Sequence, residues 1–347
     1  MLSTAGHPGY VWPGIRPTTA DCTFDGGGGL KSYLARRLLT LPVMMLIITI
    51  IQFGVIYLAP GDPTSVLFSE IATVTAEDAA RIKELRGLDR PVPVQYVMWL
   101  GRLVQGDFGV SYLHHQPVIS LIASRLPNTI LLMGVALFLA VAIGIPAGVW
   151  VSLHKDTIAD HIVSLLVYIG VSMPAFWFGL MLMWFFAVYL DILPATGMSS
   201  IGVPFSVADR IRHLIMPSLV LASGSMAQIT RYMRSSMVET LKEDYVRTAR
   251  SKGLSERVVV YKHVLRNALI SVVTMLAFFI PVMFSGSFIV ESVFAWPGMG
   301  RLGVNAVFSR DYPLIMGINL ITVFMVLISN LGADIAYAAL DPRIRYD

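Results

Sequence analysis

The stretch Thr129 to Leu153 reads TILLMGVALFLAVAIGIPAGVWVSL, 25 residues without one Asp, Glu, Lys or Arg. About 20 predominantly apolar residues in a helix suffice to cross the hydrocarbon core of a bilayer. The segment is therefore read as a membrane-crossing helix. Five other segments satisfy the same criterion: Leu38 to Leu58, Ile162 to Leu190, Leu214 to Thr230, Ala268 to Ile289 and Pro313 to Leu340. The fourth span, Leu214 to Thr230, is the shortest. The third and sixth are long enough to tilt, and Pro174 is expected to kink the third. The expected fold class is an all-α integral membrane protein with about six transmembrane helices.

Bulk composition agrees. Of 347 residues, 55% are apolar and 14% charged, against roughly 25% charged in soluble domains, and the mean hydropathy is +0.69. A soluble chain of this size would need far more polar surface. Cys22 is the single cysteine, which rules out an internal disulfide framework and a cysteine-based metal cluster. The formal charge of +4 does not imply nucleic acid, because basic residues in membrane proteins gather on the cytoplasmic side. The first apolar run begins near Leu38 and is too long for a signal h-region, so it is read as a retained anchor.

With both termini inside, 16 of the 26 Lys and Arg are cytoplasmic, nine of them between Arg231 and Arg266. Six of the other ten lie in one outer loop, Pro60 to Asn128, whose length weakens the charge rule. In that loop Thr75 can cap a helix with Asp78 at N3 and Gly87 past its end. A second helix is expected from Pro93 to Gln105, ended by Gly106. Together they suggest a small outer helical subdomain, for packing on the bundle or for contacting a partner. The chain thus divides into a tail 1–37, a first span 38–58, an outer subdomain 59–128, a core 129–340 and a tail 341–347.

Several features resemble chemical motifs without their context. Gly26 to Gly29, then Leu30, Lys31 and Ser32, lacks the Gly that a phosphate loop places before Lys, and no strand precedes it. It is read as a linker. His114 and His115 are adjacent, so a regular element points them in different directions, and no other metal ligand follows at the right spacing. Gly144 and Gly148 suit close helix packing. Within the spans ionisable groups are nearly absent; Glu291 and Asp334 lie near span ends. A proton- or ion-coupled carrier keeps such groups at mid-membrane depth, so any transport here needs an external source of free energy.

The cytoplasmic loop Met237 to Asn267 differs from its surroundings. Glu239, Glu243 and Asp244 come early, Arg247, Arg250 and Lys252 late, and Gly253 follows as a C′ residue, an order that complements a helix dipole. Ser255 is a suitable N-cap for a second helix with Glu256 in its first turn. Tyr245, Ala249 and the run Val258 to Tyr261 offer an apolar knob. A helical hairpin continuous with the fifth span could pass a push from a soluble partner into the membrane. The alternative is an amphipathic helix on lipid headgroups.

The run Asp244-Tyr245-Val246-Arg247-Thr248-Ala249-Arg250-Ser251-Lys252-Gly253-Leu254 resembles the EAA loop of binding-protein-dependent ABC transporter permeases. Arg247-Thr248-Ala249 stands where that pattern has Glu-Ala-Ala, so Ala249 and Gly253 are the strict matches. His263-x-Leu265-Arg266-Asn267 replaces Ile-x-Leu-Pro, as in the peptide/nickel branch. Tyr33 to Leu39, Pro60-Gly61-Asp62-Pro63, Leu88 to Pro91, Gly106 to Gly109, Glu291 to Gly300 and Asp341 to Arg345 also resemble that branch. Residues 1 to about 30 stand outside the likeness and are read as an extension or a misplaced start.

The resemblance implies a type I importer permease, the B-type subunit of a dipeptide or oligopeptide system in a bacterial or archaeal inner membrane. Its partners would be a second homologous permease, two ATP-binding cassette ATPase subunits and an extracytoplasmic solute-binding protein, with lipid around it and no nucleic acid. The chain itself would be no enzyme and hold no cofactor, ATP and Mg being bound by the ATPases. Gly253 would set the turn, Ala249 would permit close approach, and Arg247, Arg250 and Lys252 would meet the ATPase edge. Asp244, Tyr245, Thr248, Leu254, Ser255 and Glu256 complete the implied coupling site. Nickel chelates, glutathione or small glycans are alternative cargoes in the branch, and a secondary transporter is the alternative class.

Overall fold

The computed structural model describes residues 29–58 and 89–340, with Glu84 and Gly87. The helix expected from Thr75 and the tail from Asp341 lie outside the described residues. The helices are α1 (Gly29–Leu58), α2 (Val92–Val104), α3 (Val118–Leu153), α4 (Ile158–Ser172), α5 (Ala175–Leu182) and α6 (Val207–Thr240). They continue as α7 (Asp244–Ser251), α8 (Glu256–Val258), α9 (Leu265–Val293), α10 (Met299–Phe308) and α11 (Tyr312–Leu340). Wide π-helical turns prolong α5 over Met183–Tyr189 and join α8 to α9 over Val259–Val264.

Among the described residues, three helices are long and apolar enough to cross a membrane: Leu38–Leu58, Val118–Leu153 and Tyr312–Gly332. The pair α4 and α5 forms a fourth if it is one span, but it is bent by 108°. The expected kink at Pro174 is thus a full break. Met173, the residue before proline, is extended (φ −84°, ψ 125°), as proline demands of its predecessor, and Pro174 itself takes ψ 132°. Two consecutive extended residues end one helix and start another. The shortest expected span, Leu214 to Thr230, is the middle of a 34-residue helix. Its ends carry Asp209, Arg210, Arg231 and Arg234, which hide its length from a hydropathy reading.

The core lies where α3 crosses α6, with α9 packed on α6. Leu132, Ala136 and Ala140 of α3 are fully buried, as are Ile229, Met233 and Met237 of α6. Gly144 and Gly148 make this crossing close. A methyl group on Gly148 would sit 2.5 Å from Met233 Cβ and 2.7 Å from Thr230 O; one on Gly144 would sit 2.9 Å from Ile229 Cγ2. The small-residue pair therefore serves packing within the chain.

A second cluster joins the N-terminal end of α3 to α10 and α11 through Val118, Ile122, Met299, Leu302, Leu314 and Ile318. Buried Asp311 caps α11 by accepting from Leu314 N (3.3 Å), and it also accepts from Ser111 Oγ and Leu113 N. This carboxylate fastens the segment around Ser111 and Leu113 to the start of α11. Gly87 and Gly106 both take positive φ (67° and 83°), and α2 runs between them. It packs on α1: Thr49 Oγ1 lies 3.0 Å from Tyr96 OH, and the Phe53 ring meets the edge of Tyr96 at 5.5 Å.

Candidate functional site

The loop from Met237 to Asn267 is a helical hairpin made by α7, the turn at Gly253, and α8 with its π-helical continuation. Its base is fixed where Ser236 Oγ on α6 donates to Ala268 O on α9 (3.1 Å). Val246 and Ala249 of α7 are buried with Val259, Val260 and Val264 of the returning limb. The wide turn brings adjacent Val259 and Val260, together with Val264, onto the buried side. Burying one such apolar side chain contributes about 1.5–3 kcal/mol, so these five residues hold the limbs together.

Polar ties complete the brace. Asn267 Nδ2 donates to Tyr245 OH at 2.7 Å, linking α7 to the start of α9. Arg250 donates to both carboxylate oxygens of Glu256, at 2.8 and 3.2 Å. The side chains are 45% and 65% exposed, so this fork adds only about 0–1 kcal/mol across the turn. Gly253 (φ +75°) donates to Arg250 O at 2.9 Å, and Leu254 N donates to Ala249 O at 3.4 Å. These two bonds form a Schellman helix end, which needs a left-handed residue at the glycine position.

The structure sorts the expected residues by face. Asp244, Tyr245, Arg247, Thr248, Arg250, Lys252, Gly253, Leu254, Ser255 and Glu256 are exposed. Ala249 is only 7% exposed, so the close approach it permits is between the two limbs. Ser255 occupies the N-cap position but its side chain makes no cap bond. The expected apolar knob is divided: Val259 and Val260 are buried, whereas Val258 and Tyr261 face outward with Leu254. Val246 and Asn267 were not among the expected site residues. Their signal was faint, since Tyr245 and Val246 are adjacent and only packing decides which turns inward.

Two polar clusters stand at opposite ends of the bundle. At the C-terminal end of α9, Glu291 is fully buried and accepts from Thr129 Oγ1 (2.7 Å) and Arg301 N (3.1 Å). Met299 N in turn donates to Thr129 Oγ1 (2.8 Å). The carboxylate lies at the N-terminus of α10, where backbone N–H groups favour negative charge. A side chain on Gly298 would overlap it, which explains the glycine. Trp296 Nε1 donates to Asn128 O (3.0 Å) and Asn128 Nδ2 to Pro297 O (2.8 Å), so Trp296 to Gly300 fold back onto α3. At the other end, Arg234 of α6 donates twice to Asp160 of α4, at 2.9 and 2.6 Å.

Residues 144–346 match the family described as binding-protein-dependent transport system inner membrane component. The chain belongs to that family. Residues 30–133 match its companion, binding-protein-dependent transport system membrane component, N-terminal. The oligopeptide transport system permease protein AppB of Bacillus subtilis is 44% identical over 318 residues, 91% of this chain and 100% of that protein. A putative peptide permease protein of Brucella ovis is 45% identical over 90% of this chain and 98% of its own length. The glutathione transport system permease protein GsiC of Salmonella typhimurium is 39% identical, over 91% and 100% of the respective chains. A chain of the inward-facing methionine ABC transporter MetNI shares the fold, with TM-score 0.53 at 18% identity over 64% of this chain and 97% of that one. These matches bear out the resemblance of the chain to peptide/nickel-type ABC permeases. It is a multi-pass inner-membrane permease component, a class that is not catalytic.

Proposed function

We propose that this chain is one of two permease subunits in an ATP-driven importer of short peptides, and that its hairpin receives the motion of an ATPase subunit. The observation that carries the reading is the braced hairpin. Its inner face is filled by Val246, Ala249, Val259 and Val260, while Leu254, Val258 and Tyr261 stand exposed at 40%, 38% and 60% among charged neighbours. Apolar side chains ringed by Arg250, Lys252, Glu256 and Arg257 suit the core and rim of a protein interface. The limb that returns from this surface runs through Val259–Val264 directly into α9. A displacement of the tip therefore reaches the bundle through a stiff rod.

The peptide cargo rests on the relatives named above, whose stated substrates are oligopeptide, peptide and glutathione, itself a tripeptide. An extracytoplasmic binding protein would deliver it, with two ATPase subunits and a second permease completing the assembly. The lysine and arginine distribution supports six crossings with both termini and the hairpin in the cytoplasm.

Replacing Leu254 and Tyr261 with Asp tests the docking directly. Co-purification of the ATPase subunits from co-expressing cells is expected to fall at least tenfold, with membrane insertion of the chain unchanged. Equal recovery would show that this face is not where the ATPase sits.

A further inference from the structure

Helix α4 is apolar along most of its length, yet its one buried residue among those described is a carboxylate, Asp160. The acceptor capacity of that carboxylate is well used. Arg234 Nε reaches Oδ1 at 2.9 Å and Arg234 Nη2 reaches Oδ2 at 2.6 Å. Asp156 N donates to Oδ2 at 3.1 Å and Ser164 Oγ to Oδ1 at 3.4 Å. The Asp160 side chain is 5% exposed and that of Arg234 32%. A planar guanidinium on a carboxylate in this two-pronged form fixes direction as well as distance.

Elsewhere α4 lies against α6 without giving a residue to the apolar core cluster. A methyl group on Gly170 would only reach ordinary contact with Ala227 Cβ, at 3.9 Å. Outward-facing Leu165, Leu166, Tyr168 and Val171 are more than half exposed. The grip on the cytoplasmic end of α4 is thus ionic, while α3 and α6 share an interlocked apolar crossing. Arg234 stands on the last turns of α6, close before that helix gives way to the hairpin at Leu241. At the far end of α4 lies the 108° break into α5. The arrangement is a lever: a jointed pair, held at one end by a fork on the helix that leads into the hairpin.

We propose that the Asp160–Arg234 fork is the joint through which hairpin motion enters the bent pair α4–α5, with both residues acting as positioning residues for transport. This rests on the importer reading above. Arg234→Lys keeps the charge and removes the fork, and Asp160→Asn keeps the shape and removes the charge. Each is to be assembled with the ATPases, the second permease and the binding protein in proteoliposomes. Uptake of a radiolabelled tripeptide and phosphate release are measured in the same vesicles. ATP hydrolysis is expected to continue while peptide imported per ATP falls at least fivefold in both variants, with Asp160→Glu recovering part of it.

A purely structural pair would lower the yield of assembled transporter and leave the ratio unchanged in what survives. That result, in the Arg234→Lys transporter alone, overturns the proposal. If the unaltered chain recovers no ATPase subunit, the importer reading fails and the fork proposal with it. A normal unaltered transporter beside unaffected variants sinks the fork alone.

Discussion

Gly148 and Gly253 are glycines for different physical reasons, and substitutions separate them. At Gly148 the backbone is ordinary helix and the space is missing, since an added methyl would strike Met233 and a backbone oxygen of α6. Forcing extra volume into such a contact costs about 1–3 kcal/mol. Gly148→Ala should therefore lower the thermal unfolding midpoint in detergent, whereas Gly134→Ala on the same helix, with nothing within 4 Å of the new methyl, should leave it unchanged. Equal midpoints for the two variants would contradict the close α3–α6 crossing. At Gly253 the space is open and the backbone is the constraint, with φ at +75°. A side chain there costs about 1–2 kcal/mol of left-handed strain, and a β-branched one is the least compatible. Both glycines were legible in the sequence, one from its four-residue spacing and the other from the charge order before it. The inward turn of Val246 and the burial of Ala249 were not, because adjacent residues on a short helix compete for one face.

Among the elements, one hydroxyl links α3, α9 and α10 at the corner that Asn128, Trp296 and Arg301 also tie together. Thr129 donates to Glu291 and accepts from Met299 N. Thr129→Val keeps the shape, strands Met299 N and takes one donor from buried Glu291, which keeps Arg301 N; a buried polar group left without its partner costs about 1–3 kcal/mol. Thermal unfolding in detergent should show a clear loss for Thr129→Val and near-recovery for Thr129→Ser. A Val variant as stable as the parent would mean that the corner is held without this hydroxyl. The sequence placed Glu291 near the end of a span but gave no sign of this partner, which is 162 residues away. The same holds for Asp160 and Arg234, 74 residues apart. Helix positions were readable because hydropathy is local. The break at Pro174 exceeds the expected kink because Pro174 itself is extended as well as Met173, the residue that proline disfavours in a helix. The length of α6 was missed because its polar ends read as loop.

At the scale of the whole molecule, the hairpin is the part to which the proposed function assigns a partner outside the chain. Its limbs are pinned at the base by Ser236, braced by Tyr245 and Asn267, and closed by the Gly253 turn. Such bracing resists bending, so force applied at Leu254 or Tyr261 is passed on to α9 and, through Ser236, to α6. From α6 it can reach α3 by the glycine crossing and α4 by the Asp160–Arg234 fork. The corners at Glu291 and Asp311 hold together the helix ends remote from the hairpin. Softening the turn should break this path without emptying the membrane of the protein. The most direct measurement is peptide imported per ATP hydrolysed by reconstituted transporters carrying Gly253→Val. Continued hydrolysis with at least a tenfold fall in that ratio is predicted; an unchanged ratio in a fully assembled complex would contradict the coupling role of the hairpin.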